Sequence, residues 1–305
     1  MFEVSNSSLS TYHSCPKKWY WNYVEGLKPR KVASALTLGL VIHEAQDRYF
    51  KSESIQSIRT WINKTYDDAI SQAPWEDQEE LFLGQKTALG MFLNFPYTQL
   101  TFQQIQSERE FKVQLDTDVM YIGRADGLVM LNNRWWVREI KTSGENISMF
   151  QKRAAVSSQA TGTTWALEEL DNIEIQGCLF EYCRKPKLIK KMSEDMYQFG
   201  ERIYLDYCDA RKRDTYFIRY TTYRSPVDIA IWKNDALKTA YRIQRSVKED
   251  DFPRNTGSCY QFNKECPYFR ICREENPSQM VKDLLYEKRE RKIDAQETSQ
   301  PTDEK

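Results

Sequence analysis

Asp126, Glu139 and Lys141 are the residues whose types and spacing point most directly to chemistry. They lie in Ile122-Gly-Arg-Ala-Asp126-Gly-Leu-Val129 and Trp135-Trp-Val-Arg-Glu139-Ile-Lys141-Thr142. In a strand, side chains alternate, so Glu139 and Lys141 share one face and Ile140 takes the other. Asp126 falls on the preceding strand across a short turn and can stand beside Glu139. Neighbouring carboxylates repel unless a cation lies between them, and a hard divalent ion such as Mg²⁺ prefers such an oxygen pair. Lys141 would then bring an ammonium to the ion, where it orients a water or stabilises a pentacovalent phosphate. The plainer reading is a charge pair on a solvated sheet face. Leu128, Val129, Trp135, Trp136, Val137 and Ile140 argue instead that these strands are buried. Charge in a buried strand calls for a role.

Two further polar residues can reach the same cleft. His43 lies in Leu38-Gly-Leu-Val-Ile-His43-Glu44, a helical stretch, and Gln159 lies on the helix expected after the third strand. Taken singly, the imidazole is a hydrogen-bonded core residue and the amide an exposed helix residue.

A second constellation is built of cysteine. Seven cysteines is an odd count, which argues against a fully paired disulfide framework. Cys178, Cys183 and Cys208 have apolar or aromatic neighbours and read as small buried side chains. Cys15 stands alone near the N-terminus, while Cys259, Cys266 and Cys272 crowd together near the C-terminus. These four match the ligand number of a metal centre. With no histidine nearby they favour zinc or an iron–sulfur cluster, and the chemistry does not choose between them. Unligated thiols are the plain alternative, because the spacing lacks Cys-x-x-Cys.

The elements that must position these residues follow from periodicity. Ser8 can cap a helix over about 9–24, and helices are expected over 35–50 and twice within 54–95, broken near Pro74. The pattern then turns to period 2: strands over 107–115, 119–130 and 134–142, joined by Asp116-Thr-Asp118 and Leu131-Asn-Asn133. A helix over 150–170, a strand over 174–183, two β-rich segments in 201–223 and a helix over 227–248 follow. The order gives an α+β fold, a mixed sheet with helices packed against it. The expected organisation is an arm over 1–34, a core over 35–195 with a helical insertion at about 54–100, a β-rich segment and helix over 196–250, a cysteine segment over 251–285 and a disordered tail over 286–305.

Composition narrows the function. The 305 residues carry 44 basic and 44 acidic side chains, so no global field draws the chain to nucleic acid. Contact would come from local patches at 17–30, 185–191 and 211–213, with Trp19, Tyr20 or Trp21 stacking on unpaired bases. No apolar run is long enough to span a membrane, and the N-terminus lacks a secretory pattern. An intracellular, cytoplasmic location with reduced thiols is expected. No Gly-x-x-x-x-Gly-Lys-Ser/Thr loop is present, so this chain alone is no helicase.

In order, Gly39-x-x-x-His43, Gly123-Arg-x-Asp126-Gly127, Glu139-Ile-Lys141-Thr142 and Gln159 resemble the RecB-like branch of the PD-(D/E)XK nuclease superfamily. The resemblance implies a restriction-endonuclease-like core in which His43, Asp126, Glu139 and the Ile140 carbonyl ligate Mg²⁺ or Mn²⁺. It implies that Lys141 assists the attacking water and Gln159 positions substrate or the lysine. Where the family often has Tyr four residues after the Gln, this chain has Thr163, with Trp165 beyond it.

Cys15-Pro-x-x-Trp19 and the C-terminal triplet resemble the iron-staple nucleases, among them AddB-type helicase-nuclease subunits and CRISPR-associated RecB-like exonucleases. That likeness implies a 4Fe–4S cluster on Cys15, Cys259, Cys266 and Cys272 that ties the chain ends. The wider gap between Cys259 and Cys266 keeps zinc as the alternative. The implied activity is a metal-dependent deoxyribonuclease, an exonuclease on single strands or free ends, acting in recombination, repair, replication or spacer processing with a helicase or recombination partner. The competing readings are a catalytically degenerate nucleic-acid-binding subunit and a zinc-stapled scaffold.

Overall fold

The computed structural model describes residues 1–30, 34–97, 101–261, 264–274 and 277–288, with the backbone alone over 34–37. The chain divides into two compact units, one of Met1–Leu9 with Val32–Arg245 and one of Ser10–Lys31 with Ser246–Lys305.

The larger unit is built on a mixed sheet of six strands: β1 (Phe2–Val4), β2 (Gln103–Asp116), β3 (Val119–Leu131), β4 (Arg134–Ser143), β5 (Ile175–Arg184) and β6 (Phe217–Tyr223). Their spatial order is β1-β3-β4-β5-β6, with β2 paired to β3. The β2–β3–β4 meander matches the sequence expectation, and its second turn shows why. Asn132 and Asn133 both take positive φ (51° and 57°), the left-handed pair that a two-residue hairpin turn needs and that Asn tolerates best. β5 runs parallel to β4, and the crossover carries two helices, α4 (Ile147–Ala155) and α5 (Ser158–Asp171). The single helix expected over 150–170 is therefore interrupted. The Ser157 side chain accepts the Ala160 N–H at 3.3 Å and opens a new helix there.

Helices α1 (Ser34–Phe50), α2 (Ile55–Gln72), α3 (Trp75–Asn94) and α6 (Met196–Cys208) share one hydrophobic core. In α1, Leu38, Val41, Ile42 and Ala45 are buried at helical spacing. α6 corrects the expectation of two β-rich segments in 201–223: that stretch is mostly helix, followed by the one strand β6. Asp195 and Gln198 form a reciprocal capping box, and Phe199, Ile203 and Tyr207 recur every fourth residue on the buried face. Each such burial stabilises by about 1.5–3 kcal/mol, and only a helix collects all three. α7 (Pro226–Glu249) starts at the expected proline.

The expected helix over 9–24 is shorter and broken. It starts at Asn6, with Ser5 Oγ, not Ser8, accepting the Ser8 N–H at 3.1 Å, and it stops before Cys15. Trp19 and Trp21 are buried, and the Trp19 ring stacks between Tyr23 and Phe252 at 5.3 and 5.9 Å. Trp19 and Trp21 are core side chains and not free for base stacking, which corrects that expectation for these two rings. Tyr286–Lys288 pairs with Leu27–Pro29, so the expected tail begins as a strand; the remainder of it lies outside the described residues. Among the described residues, no helix is long and apolar enough to cross a membrane.

Candidate active site

The site forms where the sheet splits. β1 pairs with β3 only over Val119–Tyr121 and β4 pairs with β3 only over Gly127–Leu131, which leaves one edge of β3 open in between. Asp126 and Glu139 flank this fork, one residue beyond the Gly127↔Arg138 pair. The Asp126 carboxylate takes the place of a ladder partner: Oδ2 accepts the Ile140 N–H at 2.7 Å. Its Oδ1 lies 3.1 Å from His43 Nδ1, brought in by α1 one residue past the buried Ile42.

On β4, Lys141 Nζ donates to Glu139 Oε2 at 2.7 Å and to Gln159 Oε1 at 3.0 Å. Gln159 lies in the first turn of α5, which is buried from Ala160 to Leu167. Gly162 lets that helix approach closely, since a β-carbon there would lie 2.3 Å from the Trp232 ring on α7. Thr163 and Trp165 are both buried, and the indole of Trp165 donates to Glu169 at 2.9 Å, so it does not stand in for the family's tyrosine.

The structure adds a residue that the sequence reading passed over. His43, Glu108 and Asp126 each offer a ligand atom, all mutually within 4.8 Å, as a metal ion would require. Ser107↔Gly127 and Arg109↔Ala125 place Glu108 opposite Asp126 on the neighbouring strand. It adopts φ +49°, an uncommon conformation for a residue with a side chain, and Arg124 Nε holds its Oε2 at 2.7 Å. A usable signal was present, because 108 and 126 are equidistant from Thr117 at the hairpin turn.

The electrostatics follow from burial and neighbours. Burial holds the Glu139 carboxyl above the usual carboxylate range despite the Lys141 ammonium, and it raises Glu108 against the pull of Arg124. For Asp126 burial acts in the same sense, but the His43 hydrogen bond and charge outweigh it and keep the carboxyl low. Burial pulls His43 and Lys141 down, yet Asp126 raises the imidazole and Glu139 with Asp126 raises the ammonium. Glu139 is fully buried, and among the described residues its Oε1 has no hydrogen-bond partner. An acidic cluster with an orphaned buried oxygen fits a divalent cation.

The smaller unit holds the second constellation. Cys15, Cys259, Cys266 and Cys272 line one cavity of about 170 Å³, together with Lys18, Trp21 and Arg254. The Asn255 N–H approaches Cys15 Sγ at 3.4 Å. Tetrahedral zinc brings its sulfur ligands to roughly 3.8 Å of one another. Among the described residues, the group that meets even a 4.8 Å limit is His43, Glu108 and Asp126, not these thiols.

Comparison with known proteins agrees with this architecture. A search of curated protein sequences finds no significant match. The fold is similar to a solved structure from Eubacterium rectale described as a "putative exonuclease", with a TM-score of 0.54, 11% identity and 92% of each chain covered. A likeness at that identity speaks for the fold alone. A family model matches over residues 3–273, nearly the whole chain, and spans both the sheet fork and the cysteine cavity. On that match the chain belongs to the PD-(D/E)XK nuclease superfamily, a family of metal-dependent phosphodiester hydrolases.

Proposed function

We propose that this protein is a Mg²⁺- or Mn²⁺-dependent deoxyribonuclease that works from single-stranded or free DNA ends. The observation that carries the reading is the fork itself: His43, Glu108 and Asp126 within ligand reach of one another, beside a fully buried Glu139 with an orphaned oxygen. His43, Asp126, Glu139 and the Ile140 carbonyl, joined by Glu108, would hold the ion. A bound divalent cation would neutralise charge on the scissile phosphate and lower the pKa of a water nucleophile.

The protein's own residues define the remaining roles. Lys141 spends two of its N–H donors on Glu139 and Gln159, which fixes its direction and leaves one for a water or a phosphate oxygen. Its raised pKa keeps it an ammonium, so it orients and stabilises charge and does not take a proton. Gln159 acts as a positioning residue for that lysine. Asp126, tied to the Ile140 N–H, keeps the two strand ends in register around the site.

We further propose that Cys15, Cys259, Cys266 and Cys272 hold a 4Fe–4S cluster that staples the chain ends. Their shared cavity supports this, and the role is structural. Closing so long a loop stabilises the fold by several kcal/mol on the chain-entropy model. Recombination, repair, replication or spacer processing alongside a helicase are the settings this chemistry suits.

The test incubates the purified protein with end-labelled single- and double-stranded DNA in Mg²⁺, Mn²⁺ or EDTA. Degradation from ends in either metal, stopped by EDTA and by Glu139→Ala or Lys141→Ala, is expected. Full activity in those variants would remove the site assignment. Anaerobic purification is expected to give a brown protein absorbing near roughly 400 nm; a colourless protein containing zinc would correct the cluster.

A further inference from the structure

The segment that leaves β5 starts at the active-site end of the sheet. Lys141, Thr142 and Ser143 on β4 pair with Tyr182, Cys183 and Arg184 on β5, and the Lys185 N–H then donates to the Ser143 carbonyl at 2.8 Å. Ser143 lies two steps along the strand from Lys141, a rise of about 7 Å. The loop therefore begins within one nucleotide's length of the proposed chemistry.

Its shape is fixed by the protein. Leu188 packs into the main hydrophobic core. Arg202 on α6 donates to the Ile189 carbonyl at 2.8 Å and grips the Glu194 carboxylate with Nε and Nη2 at 2.6 and 2.8 Å. Glu194 in turn accepts the Lys191 N–H at 2.9 Å, and the Glu194 N–H returns to the Lys191 carbonyl at 3.1 Å.

From this hydrogen-bonded base the loop turns Ile189 and Met192 outward. Ile189 is 84% exposed and Met192 is fully exposed, and between and beside them Lys187, Lys190 and Lys191 are exposed as well. Single exposed aliphatics are ordinary on protein surfaces. A pair held out by a clamped loop, interleaved with lysines, fits nucleic acid better. Lysines neutralise phosphates, and aliphatic wedges such as Ile and Met enter opened base steps.

We propose that Lys187–Met192 is a strand-opening wedge: the lysines take backbone phosphates at a duplex end, and Ile189 and Met192 press into the last base step, feeding one strand toward Lys141. This rests on the nuclease reading above and adds to it how a duplex end is presented.

The test compares the full-length protein with Ile189→Ser/Met192→Ser and with Lys187→Ser/Lys190→Ser/Lys191→Ser. Leu188, Glu194 and Arg202 are left in place, and a thermal melt checks the fold of each variant. Binding to a fluorescein-labelled duplex is read by anisotropy in Ca²⁺, and opening by 2-aminopurine fluorescence at the terminal step. The apolar variant is expected to bind within about twofold of wild type but to lose the 2-aminopurine increase. It should slow duplex degradation in Mg²⁺ about tenfold more than single-strand degradation. The lysine variant is expected to weaken binding at least about tenfold and to lower the slope of log affinity against log salt by roughly 3. Variants that bind, open and degrade duplex like wild type overturn the wedge while leaving the nuclease reading standing. Wild-type protein that opens a duplex end through this loop but cleaves no DNA overturns the nuclease reading alone.

Discussion

Arg138 and Glu139 are consecutive on β4, both fully buried, and they face opposite sides of one sheet. Arg138 donates to Glu181 at 2.7 Å and hydrogen-bonds Gln46, while its guanidinium carbon lies 4.4 Å from the Phe50 ring centroid. Arg219 meets the other Glu181 oxygen at 2.8 Å. On that face both Glu181 carboxylate oxygens are met by guanidinium groups of the protein. Across the sheet, Glu108, Asp126 and Glu139 are met by Arg124, His43 and Lys141, and among the described residues one Glu139 oxygen has no hydrogen-bond partner. Burial cost is the same in kind on both faces. The difference lies in the carboxylates: Glu181 has both oxygens met by guanidinium groups, whereas Glu139 keeps one oxygen unmet among the described residues, beside the His43, Glu108 and Asp126 ligand atoms.

The comparison can be broken from the acidic side first. Asp126→Asn or Glu139→Gln should reduce DNA degradation in Mg²⁺ by about a thousandfold or more, with the melting temperature kept; end-labelled gel assays with a parallel thermal melt decide it. On the opposite face, Arg138→Met strands the buried Glu181 and should cost about 3–5 kcal/mol in urea unfolding. The double variant Arg138→Met/Glu181→Leu should recover some of that loss. If Arg138→Met left stability unchanged, that face would not be the structural one.

Smaller effects sharpen the picture. Gln159→Ala frees the Lys141 ammonium without removing charge and should lower turnover by about ten- to a hundredfold, mostly in kcat. The half-buried Glu194–Arg202 pair should matter least. The Arg202 hydrogen bonds beside Glu194 hold its carboxyl down at about 2, against an ordinary 4.5. Its stabilisation is therefore complete above about pH 4.5 and is lost as pH falls toward 2. Glu194→Gln should be measurably less stable than wild type at pH 7, and the gap should shrink on acidification below 4.5; urea midpoints across that range would show it. A gap that widened instead would remove the clamp from the loop's account.

Much of the framework was legible in the residues. Alternation located the meander, the Asn132-Asn133 turn and the proline starts near 74 and 226 marked boundaries, and the spacing of Asp126, Glu139 and Lys141 named the acidic cluster. The region 201–223 was misread because aromatic and β-branched residues suit strands, while the capping box and the four-residue spacing of Phe199, Ile203 and Tyr207 carried the stronger helical signal. Trp19 and Trp21 were misassigned for a related reason: an aromatic–basic composition does not say which side of a segment is packed.

By itself the chain determined which side chains alternate, where turns fall and which residue types can bind a divalent ion, because these depend on neighbours a few positions away. Tertiary structure decided that the β3–β4 ladder ends at the Gly127↔Arg138 pair, that Glu108 stands opposite Asp126, and that both Glu181 oxygens are met while one Glu139 oxygen, among the described residues, is not. Those outcomes depend on register and on helices packed from both faces, so they are set by contacts between residues far apart in sequence.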